Sequence, residues 1–446
     1  MSTATTEKIV GEIDFDSWMP DTMVVSANCG RLAYVVRKWN KFHVVVDGRE
    51  SQSYDGITEG SLAFSPDSQH FAYIILKNDK FVVVRDGNEG ESFDGVMPGT
   101  PIFSPDSTRF AYAAKRGEQY FVVLDDLILN PYRGVGKGTL SFSPDSKRIA
   151  YEAKKMKWFQ QKQCVVVDSV EGNCYDGIGA TSVRFSPDSR RIAYAATRSG
   201  KWFVVIDSDE KIQYDGIADG FPVFSPNSKR IAYSGRTGKQ WEVVVDASVS
   251  PRFDFTMEET PCFSLDSNRF LYGAQANNKW FVVADGVHGK QYEGLGETVP
   301  LFSPNSQHIA HIAKGRGNSF VVLDGTEQQP YDGIGRWSLI FSADSCHHAY
   351  NARVADSWFA VIDGREGKKH KGIGAGSTVF SPYSKLVYIA IEVNKAFCVI
   401  DGEERYRYDL IGNMKGRFML HFEDSGKLQY MAIRGRSLLS VVEGIE

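Results

Sequence analysis

The sequence predicts an all-β chain, and specifically a β-propeller of eleven four-stranded blades. Three observations predict it. A phrase of the form Phe-Ser-Pro-Asp-Ser, then Arg-Ile-Ala-Tyr, recurs along the whole chain. Each copy holds four strand-like runs separated by turn residues, and a period near 40 residues with four strands per copy is a propeller signature. The two ends of the chain also look complementary, as though one completes the other.

Taking the Phe of the phrase as anchor, the copies fall at Val25, Phe64, Phe103, Phe142, Phe185, Phe224, Phe263, Phe302, Phe341, Phe380 and Phe422. Eight of the ten intervals are 39 residues, and the other two are 43 and 42, so no linker-sized insertion divides the chain. Residues 1–446 therefore read as one domain. Length alone would suggest two or three, but blades add side by side, each burying its faces against its neighbours.

The copy at Phe185 shows how each element is specified. Strand A runs through Ser182-Val183-Arg184-Phe185 and stops at Ser186-Pro187-Asp188-Ser189. There Pro presets φ for a tight turn, and the Asp side chain caps it. Strand B is Arg191-Ile192-Ala193-Tyr194-Ala195, closed by Arg198-Ser199-Gly200. Strand C, Trp202 to Asp207, is apolar on both faces, as a sheet covered on two sides requires. Strand D is expected at Tyr214-Asp215-Gly216-Ile217. The Ala two residues after the Arg (Ala33, Ala72, Ala111, Ala150, Ala193, Ala232, Ala310 and Ala349) is expected where neighbouring sheets approach most closely.

The chain finishes on Leu438 to Gly444, a strand C with no strand D behind it. Its N-terminal part holds Ile13 to Trp18, which reads as a strand D with no A, B or C before it. The expectation is a single ring closed by this N-terminal strand in the last blade, which removes two open sheet edges. Propellers usually have about 4 to 8 blades, so two smaller stacked propellers are the alternative. The stretch Phe185 to Tyr194 resembles the WD-like repeat in the propeller of the bacterial Tol translocation system, and the resemblance covers nearly the whole chain. It implies the propeller fold. The common form of that repeat has Gly after the Asp, where this chain has Ser.

Net charge is −4, without the overall basic field of a dedicated nucleic-acid binder. Met1 to Lys8 is short and polar, unlike a secretion signal. No apolar run approaches the ~18 residues of a membrane span. Cys29, Cys164, Cys174, Cys262, Cys346 and Cys398 show neither metal spacing nor a disulfide framework, although Cys164 and Cys174 flank one hairpin. The expected location is the cytoplasm, with reduced thiols.

Most repeated polar residues have a structural reading. Arg31, Arg109, Arg148, Arg191, Arg230 and Arg269, replaced by His70, His308 and His347 elsewhere, could form an anion-binding ring. The hairpin register instead places Arg191 opposite Asp207, a stabilising cross-strand pair. The phrase carboxylates Asp67, Asp106, Asp145, Asp188, Asp266 and Asp344 stand one per blade, where they cap turns rather than converge on calcium. His308, His311, His347, His348 and Cys346 lack zinc-ligand spacing. The residues leading into strand A are mostly small or apolar, with only Arg184 and His421 titratable, too few for general acid–base work. No catalytic, metal or cofactor site is expected.

The B–C loops depart from this pattern, because Lys and Arg outnumber Asp and Glu there. Arg37, Lys38, Lys154, Lys155, Lys157, Lys162, Arg198, Lys201, Arg236, Lys239, Lys314, Arg316, Arg434 and Arg436 are candidates, joined by Trp39 and Trp337 on the same face. Basic and aromatic residues together suit an interface with an acidic partner. The expected function is a non-enzymatic scaffold that holds another protein on this face or at the channel mouth. A channel-based small-molecule or glycan enzyme or binder is the alternative, and weak nucleic-acid binding a second.

Overall fold

The computed structural model describes residues 5–157, 160–219, 222–414 and 417–445. The described chain is all-β, and its eleven blades form the ring of a β-propeller. The blades are numbered 1 to 11 in order of their anchors, Val25 to Phe422. Asp14–Ala27 and Arg31–Val249 make one compact unit, holding blades 1 to 6. Blades 7 to 11 belong to the other, with Met1–Ile13, Asn28–Gly30 and Ser250–Glu446.

Within each unit the blades follow one plan. In blade 5, strand B (Ile192–Arg198) pairs with strand C (Lys201–Ile206), with Ala193 opposite Ile206 and Arg198 opposite Lys201. Strand A is split: Gly177–Ile178 and Arg184–Phe185 both pair with strand B, on either side of a turn. Ten blades are therefore five-stranded in hydrogen-bonding terms, and blade 1, with one continuous strand A from Trp18 to Val25, has four.

The Tyr-Asp-Gly-Ile motif was expected to be a strand D, and here the structure differs. Tyr214 bridges to Trp202 in blade 5, but Gly216–Ile217 already pairs with strand B of blade 6. Glycine suits this crossover, since a Cβ on Gly177 would stand 2.9 Å from Thr197 Cγ2. The motif thus carries the chain from one blade into the next.

The N-terminal closure also differs in detail. The strand that completes blade 11 is Thr5–Glu12, antiparallel to Ser437–Glu443, with Thr5 opposite Glu443. Ile13 to Trp18, the segment expected to do this, instead makes a turn held by Trp18 N–H donating to the Asp14 carbonyl at 2.9 Å. Asp14 and Ser17 favour a turn because their side chains bond locally, at 2.7 Å between Ser17 Oγ and Asp14 Oδ2. Blades 1 to 10 each supply their own outer strand or bridge, so two smaller propellers would lack a second closure among the described residues.

The core lies between successive sheets. One cluster packs Ala150 and Val165 of blade 4 against Tyr194, Ala196, Phe203 and Val205 of blade 5. Another joins Ala310 and Val321 of blade 8 to Tyr350, Ala352 and Phe359 of blade 9. Each fully buried side chain of this kind contributes about 1.5–3 kcal/mol. The repeated Ala residues are sealed, Ala150, Ala193, Ala310 and Ala349 all being 0% exposed, and each faces the following blade.

Candidate functional site

The repeated polar residues are bound up in the scaffold. Arg191 Nε donates to Asp207 Oδ2 at 2.7 Å, and Asp207 Oδ1 accepts the Ile192 N–H at 2.9 Å. The same pair recurs as Arg109–Asp125, Arg148–Asp168 and Arg269–Asp285, and with His in Arg's place as His347–Asp363. Each Arg also reaches the next blade. Arg109 lies over the Phe142 ring at 5.7 Å, and its Nη1 donates to the Lys147 carbonyl at 3.0 Å. Sequence reasoning found this ion pair but set its register one residue out, since Asp207 lies across from Ile192 rather than Arg191; it missed the inter-blade contact, whose only signal was that Arg and Phe recur together.

The phrase carboxylates cap their own turns. Asp106 Oδ1 accepts from Ser104 Oγ at 2.6 Å and from the Thr108 N–H at 3.0 Å, holding the carboxyl well below its ordinary range. The second Ser of the phrase lies in the left-handed region, at φ 64° for both Ser107 and Ser146. Its hydroxyl repays that strain by accepting a backbone N–H from the preceding blade: Asp67 to Ser107 and Asp106 to Ser146, both at 3.0 Å.

The B–C hairpins carry the candidate cations, and most are paired. Lys38 donates to Glu50 at 2.5 Å, Lys201 to Asp215 at 2.6 Å, and Arg198 is bidentate on Glu210 at 2.6 and 2.8 Å. Lys155 pairs with Glu171 and Lys162 with Asp176. Arg434 is bidentate on Glu7 of the closing strand at 2.6 and 2.8 Å. The acids come from strand D and from the crossover Asp, so much of the basic character expected of these loops is neutralised in place. The crossover Asp also caps the next hairpin: Asp215 Oδ2 accepts the Gly238 N–H at 2.7 Å. That bond and the Lys201 ammonium hold its carboxyl below the usual range.

The remaining candidates are less engaged. Arg37 Nη2 donates to Asn40 Oδ1 at 2.7 Å, and Trp39, in the turn between them, is 98% exposed. Trp39 and Asn40 have φ of 49° and 62°, the two left-handed residues of a tight hairpin turn. Arg236 Nη1 donates to the Gly238 carbonyl at 2.7 Å, and Lys239, Lys314, Arg316 and Arg436 are exposed. Lys154 lies 3.9 Å from the buried Glu152 carboxylate. The Lys157 side chain lies outside the described residues. Trp337 is not on a B–C hairpin. It sits half-buried in the turn that interrupts strand A of blade 9, beneath the Arg336 guanidinium at 4.2 Å.

Blade 4 differs from this balance. Its hairpin is the longest, Ile149–Lys157 against Gln160–Val167. The crossover acid that would cap it is replaced by the exposed Arg133, and Met156 is 55% exposed. Arg133 and Lys154 share this place, because Arg133 N–H donates to the Lys154 carbonyl at 2.9 Å.

Among the described residues no group of three His, Cys, Asp or Glu side chains could hold a metal ion, and no helix is long and apolar enough to cross a membrane. Cys164 and Cys174 are directly opposite in register, and both are free thiols.

No protein-family model matches the chain, and no curated protein matches it significantly. Solved structures do. A eukaryotic initiation factor is 14% identical with a TM-score of 0.43, over 76% of this chain and 94% of that one. The Dos1 propeller is 11% identical with a TM-score of 0.31, over 69% and 90%. The β-propeller domain of the Trilobed protease from Pyrococcus furiosus is 13% identical with a TM-score of 0.30, over 64% and 98%. At this level the likeness concerns fold alone.

Proposed function

We propose that this protein is a non-enzymatic binding scaffold that holds another protein on its basic B–C hairpins, with the blade 4 hairpin as the centre of the contact. The observation that carries this is the substitution of Arg133 for the crossover acid beside the longest hairpin. Where that acid is present it neutralises or caps; here its loss leaves the exposed Arg133 beside the half-buried Lys154 and the exposed apolar Met156. Basic groups around an exposed apolar side chain suit an acidic surface with an apolar spot, which favours steering and docking together. The proposal extends to a reducing compartment such as the cytoplasm, consistent with free Cys164 and Cys174 facing each other.

The test is partner capture with full-length protein carrying Arg133→Asp and Lys154→Glu, the first restoring the acid found at the other crossovers apart from Lys371. Loss of specific partners at unchanged thermal midpoint supports the reading, and unchanged capture overturns it. Trp39 with Arg37 and Lys38 gives a second reading, since an exposed indole among cations can stack on bases. Steeply salt-dependent oligonucleotide binding that is lost in Trp39→Ala would favour it.

A further inference from the structure

A cleft of about 770 Å³ lies across blades 7, 8 and 9, within one unit. Its walls include the rings of Phe255, Trp280 and Trp337 and the carboxylates of Glu258, Glu259 and Glu297. Lys314 and Arg336 are the two cations that line it.

Three of these residues break the repeat, each time by placing a large side chain where the fold favours glycine. Phe255 opens the crossover strand at the position held by Gly56, Gly95, Gly134, Gly177, Gly216, Gly294, Gly333 and Gly372, and it is 56% exposed. Glu259 and Trp337 occupy the strand A turn at φ 59° and 57°, where Gly60, Gly99, Gly138 and Gly376 have φ of 68°, 84°, 69° and 70°. Thr181, at φ 55°, is another non-glycine at that turn position. The turn itself needs only glycine at these positions, so it does not require the glutamate and tryptophan side chains that line the cleft. That both such residues and the misplaced Phe line one cleft is not explained by packing.

The chemistry of the walls indicates the occupant. Arg336 already shows the mode of recognition: its guanidinium stacks on Trp337 at 4.2 Å while Nε stands 3.6 Å from Glu297 Oε2. Glu258 and Glu259 have no such partner among the described residues, and both are exposed beside Phe255. Aromatic faces and carboxylates together attract a cation with an apolar stem, and the volume suits a side chain with its flanking peptide. We infer that this cleft is a binding site for a basic peptide segment, with an Arg or Lys side chain of the ligand laid against Phe255 and paired with Glu258 and Glu259. The inference does not rest on the basic-hairpin reading, which concerns another blade and the opposite charge.

The test is a titration of the full-length protein with a fluorescent hexa-arginine peptide, with cellohexaose as a neutral probe. Saturable peptide binding is expected, weakened at least tenfold in Glu258→Gln/Glu259→Gly and in Phe255→Gly. Glu259→Gly and Phe255→Gly restore the residues of other blades, so their thermal midpoints should hold. Hydroxyl-radical footprinting of the unmutated chain, in which the peptide should protect Phe255 and Trp337, gives a readout that needs no variant. Absence of binding, binding unchanged in the variants, protection elsewhere, or cellohexaose taking the cleft in place of the peptide would each overturn the inference.

Discussion

At the scale of single residues, the departures from the repeat are more informative than the repeat itself. Ten blades place Tyr at the end of the Arg-Ile-Ala-Tyr phrase or its equivalent; blade 8 places His311 there. His311 is 8% exposed, and neither ring nitrogen has a partner among the described residues. Burial pushes its pKa down to about 4. The folded-state value lies below the unfolded one, so the unfolded chain binds the proton first, and stability falls as pH drops from about 6.5 towards 4. We expect His311→Tyr to remove roughly 3 kcal/mol of acid destabilisation at pH 4, read from urea unfolding at pH 7 and pH 4; an identical pH dependence in the variant would exclude this. Glu152 is the acidic counterpart: burial raises its pKa, and its Oε1 is unsatisfied. Its folded-state value lies above the unfolded one, so stability declines as pH rises through it, and Glu152→Gln should flatten that decline.

At the scale of the element, the Phe-Ser-Pro-Asp-Ser turn is a joint between blades as well as a turn within one. Ser107 takes a left-handed backbone and accepts the Asp67 N–H, so Ser107→Ala removes the acceptor of a part-buried donor and strains the backbone. A loss of about 1–3 kcal/mol is expected, while Ser107→Gly should lose less because only the bond is removed. Thermal unfolding of the two variants settles their order. The Arg-Asp pair is a similar joint. Arg109→Met should cost about 1 kcal/mol, since the pair is only partly exposed and the Arg stem still packs as Met. A double-mutant cycle with Phe142→Leu should show coupling, because the guanidinium lies over that ring.

At the scale of the molecule, the closing strand decides whether blade 11 has an open edge. Thr5–Glu12 pairs along Ser437–Glu443, and its Glu7 holds both Arg434 and the Tyr408 hydroxyl, the latter at 2.7 Å. Removing residues 1–12 should lower the thermal midpoint and expose the backbone of Ser437–Glu443, a template for pairing with another copy. Size-exclusion chromatography should then show dimers or larger species; a monomer of unchanged stability would contradict this role.

The sequence by itself determined the number of blades, the B–C hairpin of each and, one residue out of register, the ion pair of Arg191 with Asp207. Those features are local, set by period, alternation and turn chemistry over fewer than 40 residues. What lay between blades was not legible. The crossover of Gly216–Ile217 into the next sheet, the closure by Thr5–Glu12 in place of Ile13–Trp18, and the neutralisation of Lys201 by Asp215 all depend on partners that only packing brings together. The candidate sites divide in the same way. Trp39 could be read from a hairpin turn, whereas the cleft of Phe255, Glu259 and Trp337 is assembled from residues of successive blades that lie far apart in sequence. Only tertiary structure sets them side by side, because a repeat specifies each blade while contact between blades specifies the surface they share.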